Sequence, residues 1–453
     1  KKAAMTFPKG TGLGWDGLHP RALVRLDDWA IKWIARLLLH CERTGQWPEE
    51  VGVCIIVLLP KAEGGYRPIG LNPWPVRLWM RCRKDTIQEW EATVVRDYLY
   101  AGKGKGADVA VWKQAARAEA AAATVSNKTR LAYGQVLLDL IKAFERIPHA
   151  RLAREAAKLG YPLWLLRLSL AAYRLPRSLR IGQVYSFLVI ACQGATAGSG
   201  TATTEMKIMM IHILDAAIVV HPSVEPTLFV DDVSAESIAN DEVMVKELVE
   251  FTTLVGLAIM DSEMELSDVK CKCSASTDAL GHKIEAGLRR FKVTYEKKVK
   301  SLGAGLAGGR RRNTDVQKKR LKNFKKRVKK FRRLQKIGIK VDKLLRTGGT
   351  KAMTYGEGIM GVSDSMLRNQ RRTTGTASSP AGGPGGQNLD IQLMLTDGGP
   401  KGKADPAFDA HELPIGQWAM AVWETWQPRC TMIRTVAVKL PILIRAPRPW
   451  SRV

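Results

Sequence analysis

Residues 228–233 read Leu-Phe-Val-Asp-Asp-Val. Apolar residues lead into and out of a pair of adjacent aspartates, the pattern of two short strands joined by a tight acidic turn. Two carboxylates held that close repel each other unless cations lie between them. Magnesium takes carboxylate oxygens and keeps its other positions for water and substrate phosphates. Acidic pairs are also common in surface turns, so Asp231-Asp232 alone does not define a site. A third acid, Asp139, ends the apolar run of the stretch LLDLIKAF (137–144). An acid at a strand end can be aimed into a cleft and complete a metal site. The plain alternative for Asp139 is a helix N-cap, where Asp is favoured.

Working outward, helix and strand signals alternate. Leu26, Trp29, Trp33 and Leu37 recur at helical spacing within 16–46. The run VGVCIIVLL (51–59) reads as a buried strand, followed by a turn at Glu63-Gly64-Gly65. Helices are expected over roughly 76–100, over the Ala-rich 107–124, after the KAFERIPH turn as far as Gly160, and over 241–257. Such alternation places the chain in the α+β class.

The 453 residues carry a formal net charge of +28, and 45% are hydrophobic. That hydrophobic share suits a globular protein with a sizeable core. The charge calls for a polyanionic partner, and 51–59 is too short to span a bilayer, so nucleic acid is favoured over membrane. The start at Lys1-Lys2, with no signal-peptide pattern, is expected of a fragment of a longer product. Seven scattered cysteines argue against a disulfide framework and for a reducing, intracellular compartment. Cys271-x-Cys273 lacks a second Cys/His pair at finger spacing, so alternating strand positions are its plainer reading over zinc.

Residues 283–346 hold 25 Lys or Arg against 4 Asp or Glu. Within them Leu321, Phe324, Val328, Phe331, Leu334 and Ile337 form one apolar stripe on an otherwise basic helix. A face of one sign repels itself without a polyanion. Gly, Ser, Thr and Pro from about 372 to 403 suggest a flexible linker. Trp418, Trp423, Trp426 and Trp450 beyond it suggest a small packed module with no assignable job.

Six blocks occur in a telling order: GTGLGWDGLHPRAL (10–23), LLPKAEGGYRPIGL (58–71), LLDLIKAF (137–144), CQGATAGSGTATT (192–204), FVDD (229–232) and VKSLGAGL (299–306). Together they resemble reverse transcriptases, particularly the non-LTR retrotransposon type, over roughly residues 8–310. The resemblance implies a right-hand polymerase: fingers over 1–134, a ferredoxin-like palm over 135–282, a basic thumb-like helical region over 283–346, and a linker and C-terminal extension of unassigned role over 347–453. It implies an RNA-directed DNA polymerase that adds deoxynucleotides to a primer, with RNA template, DNA primer or duplex, and dNTP as partners, no membrane, and no evident protein partner. A retrotransposon product would act in the nucleus.

The resemblance also implies residue roles. Asp139 and Asp231 would bridge two Mg2+ ions, with Mn2+ able to replace them, and Asp232 would complete the acidic set. Phe144 would press on the sugar 2′ position, and Gln193 and Gly194 would line nucleotide and template. Arg67, helped by Lys61, would hold the triphosphate, for which a guanidinium is suited; its plain alternative is a surface charge beside a turn. Lys270 would lie near the leaving pyrophosphate. Arg310, Arg311, Arg312, Lys325, Lys326, Lys329 and Lys330 would track the nucleic-acid backbone. Three places depart from the family: Glu145 stands where Asp is usual, Ala197-Gly198-Ser199 replaces a usual Leu-Ser-Pro, and the spacing before Lys270 differs. A viral RNA-dependent RNA polymerase shares the palm logic, and a decayed or domesticated RNA-binding relative would share the blocks without catalysis. No endonuclease block precedes residue 8, and no RNase H carboxylate set is evident after 346.

Overall fold

A computed structural model describes residues 1–61, 64–102, 104–124, 131–308, 312–379, 388–397 and 404–426. Among them eleven strands run in the order β1 Cys54–Pro60, β2 Tyr66–Leu71, β3 Ala132–Leu138, β4 Arg177–Ile181, β5 Val184–Tyr185, β6 Val224–Phe229, β7 Asp232–Ala239, β8 Lys272–Ala275, β9 Thr294–Tyr295, β10 Lys298–Ser301 and β11 Ala304–Ala307. Helices fill the intervals, and the fold is α+β with mixed sheets. Two compact units divide it. One comprises Lys1–Leu99, Asp139–Val220 and Thr253–Ser267; the other comprises Tyr100–Leu138, His221–Thr252 and Asp268–Val453.

The first unit is built on the sheet β2-β1-β4-β5. β1 pairs antiparallel with β2, from Ile55↔Leu71 to Pro60↔Tyr66, and parallel with β4, from Cys54↔Arg177. Burial falls along β1 from its start to its exposed end, so the hairpin of β1 and β2 runs out into solvent. The helices Trp74–Cys82 and Lys84–Thr93 replace the single helix expected over 76–100; they break at Arg83. Arg83 and the Trp79 indole both bind the Glu42 carboxylate, at 2.7 Å each. That anchors the helix Asp28–Thr44, which Asp27 caps through the Ala30 amide. A 3-10 turn over Pro20–Arg25 precedes it, where helix was expected throughout. The stripe of Leu26, Trp29, Trp33 and Leu37 is exposed, Trp29 to 70%; this helix buries Leu38, Cys41 and Glu42 instead. Spacing identified the helix but not the face that its neighbours cover.

The second unit holds the five-stranded sheet β6-β7-β3-β8-β9. β3 lies between β7 and β8, antiparallel to both, with Leu138↔Val233 closing the β3–β7 register. The helix Ala107–Thr124 forms as the Ala-rich sequence predicts. It carries Arg117 into an ion-pair group with Glu225 of β6 and Glu236 of β7, and the Tyr133 hydroxyl of β3 also donates to Glu236 at 2.5 Å. A buried guanidinium is tolerated because two carboxylates surround it. The helix Asp241–Asp261 runs past Gly256, where it was expected to end.

The basic helix spans Asp315–Lys336. Leu321 and Phe324 are buried with Val341, Leu345, Met353 and Ala377, and Val328, Phe331 and Leu334 pack beside them. Ile337 lies beyond the helix and is exposed. The stretch expected as linker contains the end of the helix Asp364–Ser378 and the helix Leu389–Asp397. Trp418 and Trp423 lie on the helix Pro406–Trp426, while Trp450 falls outside the described residues. No helix among the described residues is long and apolar enough to cross a membrane.

Candidate nucleotidyl-transfer site

β6 and β7 pair up to Phe229↔Asp232, leaving Val230 and Asp231 as a two-residue connection. Val230 sits at φ 63°, a left-handed conformation that costs a β-branched residue roughly 1–2 kcal/mol. A glycine would relieve it. Backbone strain of this kind persists where the surrounding structure over-determines it, and it concentrates at functional turns. Here the over-determination is visible: both flanking strands continue into a paired sheet, and the Tyr100 amide binds the Leu228 carbonyl at 2.9 Å.

Asp231 is half-buried and Asp232 exposed. Across the register, β3 ends at Leu138 opposite Val233, and Asp139 is the next residue in the chain. Asp139 is half-buried and caps no helix. The 3-10 turn that follows, Phe144–Arg146, is preceded by Ala143 with no side-chain cap, and the next helix starts after Pro148. The N-cap alternative therefore does not apply. Asp231 and Asp232 offer oxygen donors only, a pair that suits a hard divalent ion and not a closed sulfur–nitrogen site.

In the first unit the structure joins three of the blocks. The Ala195 amide donates to the Phe144 carbonyl at 2.7 Å, and the Gly194 amide to that of Ile147 at 2.8 Å. Gly194 is at φ 87°, and a Cβ there would lie 2.5 Å from the Glu145 carbonyl oxygen. His149 Nε2 lies 3.0 Å from the Gly194 carbonyl; burial holds that imidazole below its ordinary pKa, with Arg174 and Arg177 adding to the effect. The neutral ring thus donates to a backbone oxygen. Beyond it, the Gly70 amide of β2 donates to the Ala197 carbonyl at 2.7 Å, and a Cβ at Gly70 would meet Thr196 Cγ2 at 2.0 Å. Thus the Gln-Gly loop is bonded on one side to the Phe144 turn and on the other to the Arg-Pro-Ile-Gly strand. Phe144 is half-buried and Gln193 exposed.

Arg67 is exposed on β2 opposite Leu59, and Lys61 is exposed at the end of the same hairpin. Lys270 is exposed just ahead of β8. Lys325, Lys326, Lys329 and Lys330 are exposed on the Asp315–Lys336 helix and, among the described residues, pair with no carboxylate. Arg312 is half-buried and donates to the Met360 carbonyl at 2.9 Å, so part of its donor set is already engaged by the protein. Arg310 and Arg311 lie outside the described residues.

Cys271 and Cys273 are both fully buried, with burial pushing the Cys273 thiol up to about 12. They are core residues, Cys273 on β8 and Cys271 just ahead of it, where both had been expected at alternating strand positions. Sequence reading missed three features: the strain at Val230, the anchoring role of Gly70, and a grouping of His221, Glu247 and Glu250. A lone histidine and two helix-surface glutamates give no signal until the chain is folded. No family model matches the chain, and no curated protein matches it either.

Proposed function

We propose that this chain is the polymerase part of an RNA-directed DNA polymerase, adding deoxynucleotides to a primer by two-metal phosphoryl transfer. The observation that carries the reading is the β6–β7 hairpin: a strained two-residue turn presenting Asp231 and Asp232, with β3 in register beside it and Asp139 one residue past the strand end. The strand order β6-β7-β3-β8, with helices between β3 and β6 and between β7 and β8, is that of a ferredoxin-like sheet. That supports a polymerase palm. The basic helix supports a thumb that follows a duplex backbone.

In this reading the carboxylates of Asp139, Asp231 and Asp232 would hold two Mg2+ ions. Such ions would supply charge neutralisation for an in-line displacement at phosphorus. Arg67 and Lys61 bind and orient the triphosphate, and Lys270 serves the pyrophosphate end. Phe144 excludes a 2′-hydroxyl. The Gln193-Gly194 loop, rigid through its bonds to both neighbouring segments, lines the base and template side. Positioning and charge neutralisation supply most of the catalysis, since phosphoryl transfer asks little covalent chemistry of the protein.

Primer extension on an RNA template with Mg2+ and dNTP tests this. Wild-type chain should extend the primer, and Asp231→Asn should abolish extension while RNA affinity stays near wild type. Extension by Asp231→Asn at the wild-type rate sinks the metal assignment. RNA binding with no extension by the wild type favours a domesticated binding protein, and extension with rNTP alone favours an RNA polymerase.

A further inference from the structure

The second unit contains a side-chain group that the polymerase reading does not use. His221 stands in the turn ahead of β6, and Glu247 and Glu250 lie one helical turn apart on Asp241–Asp261. One ligand atom from each lies within 4.8 Å of the other two. His221 is buried and Glu250 exposed, so the group sits at the surface with its imidazole inward. His221 Nδ1 is 3.1 Å from Glu247 Oε2, and the Ser223 hydroxyl donates to the same oxygen at 2.9 Å.

We propose that His221, Glu247 and Glu250 bind one divalent transition-metal ion, Zn2+ in preference, clamping the turn before β6 to the Asp241–Asp261 helix. Two ligands on one zinc ion, each about 2.0–2.2 Å from it, stand about 3–3.5 Å apart, so the His221–Glu247 pair is already at ligand spacing. One nitrogen and two carboxylate oxygens form a borderline donor set, which suits zinc over the hard ions that all-oxygen sites take. Three protein ligands leave the fourth tetrahedral position to water. Ser223 supplies the outer hydrogen bond that orients a ligating carboxylate. A plain His–Glu ion pair would account for His221 and Glu247, but it gives Glu250 no part; the third carboxylate separates the two cases. The clamp is independent of the acidic turn and of the polymerase reading.

The test uses the full chain, stripped with a chelator and then titrated with Co2+ in excess Mg2+, which occupies all-oxygen sites. One Co2+ per chain should give visible ligand-field bands that Zn2+ abolishes, and Zn2+ should raise the melting temperature. Glu250→Gln, on an exposed side chain, should weaken Zn2+ roughly tenfold or more while leaving the metal-free melting curve unchanged. Glu250→Asp, which keeps the carboxylate, should recover part of the loss. Asp231→Asn should bind Co2+ like wild type. Absent ligand-field bands, or wild-type affinity in Glu250→Gln, overturn the proposal. So does loss of binding in Asp231→Asn, which would put the ion on the acidic turn.

Discussion

At the scale of single residues, Gly194 and Phe144 make the sharpest claims. Gly160 and Gly194 both have positive φ, but only Gly194 has backbone where a Cβ would go. Gly160→Ala should therefore cost about 1 kcal/mol, the strain of a left-handed alanine alone. Gly194→Ala adds overlap with the Glu145 backbone and should cost about 3 kcal/mol or more. Urea midpoints at constant m-value separate the two, and equal losses would mean that the Gln-Gly loop is not seated against the Phe144 turn. Phe144→Ala tests the sugar gate. A ring pressed against C2′ rejects ribonucleotides by a clash, so the variant should admit rNTP with less effect on dNTP. Phe144 is only half-buried, so its removal should cost less than the 3–5 kcal/mol typical of a fully buried ring. A folded variant that keeps the wild-type dNTP preference removes Phe144 from that role. The strand end ahead of Asp139 and the turn at Asp231 were legible because their blocks are contiguous. The glycine contacts were not, since Gly70 meets Thr196 only after the sheet has formed.

At the scale of elements, the Asp315–Lys336 helix divides its faces as its sequence predicts. Its apolar stripe is packed from Leu321 to Leu334, with Ile337 exposed past its end, and Lys325, Lys326, Lys329 and Lys330 are exposed. Each phosphate contact contributes about 0.9 to the slope of log affinity against log salt for duplex. Replacing Lys325, Lys326, Lys329 and Lys330 with Gln should flatten that slope by up to about 3–4 units. Filter binding across a salt series reads this directly; an unchanged slope would make the face merely solvated. Strand ends that are apolar were legible: the short runs ahead of Asp139 and Asp231 became the last residues of β3 and β6. Less legible was the helix Asp28–Thr44, where Trp29 and Trp33 announce a helix but face outward. Periodicity reports a stripe, and only the neighbours decide whether it is covered. The Gly/Pro-rich stretch after 372 was read as linker from composition, yet Leu389–Asp397 has enough apolar residues to form a helix.

At the scale of the whole molecule, two buried glutamates set a pH dependence. Burial raises Glu205 to about 7, against the opposing pull of the Tyr173 hydroxyl. Burial raises Glu357 to about 8, with Gln370 pulling the other way. Both are raised, so the folded state holds protons that the unfolded chain has released. Their stabilising contribution is complete below pH 4.5 and is lost as pH rises through 7 and 8. At about 1.4 kcal/mol per unit the loss is about 3 kcal/mol for Glu205 and of the same order for Glu357. Glu205→Gln with Glu357→Gln should therefore flatten the melting temperature between pH 5 and 8. A double variant that follows the wild-type profile would assign the pH dependence to other groups.

The parallel pairing of β1 with β4 carries a consequence for how the chain comes to be folded. Cys54 waits for Arg177, more than a hundred residues later in synthesis. Until then β1 has only β2 beside it and offers an unfilled apolar edge, the kind of surface on which nascent chains aggregate. Closing so long a loop also delays folding relative to local pairings such as β6–β7. Truncations ending before residue 177 should be insoluble, and the first unit should mature after the hairpin that bears the aspartates.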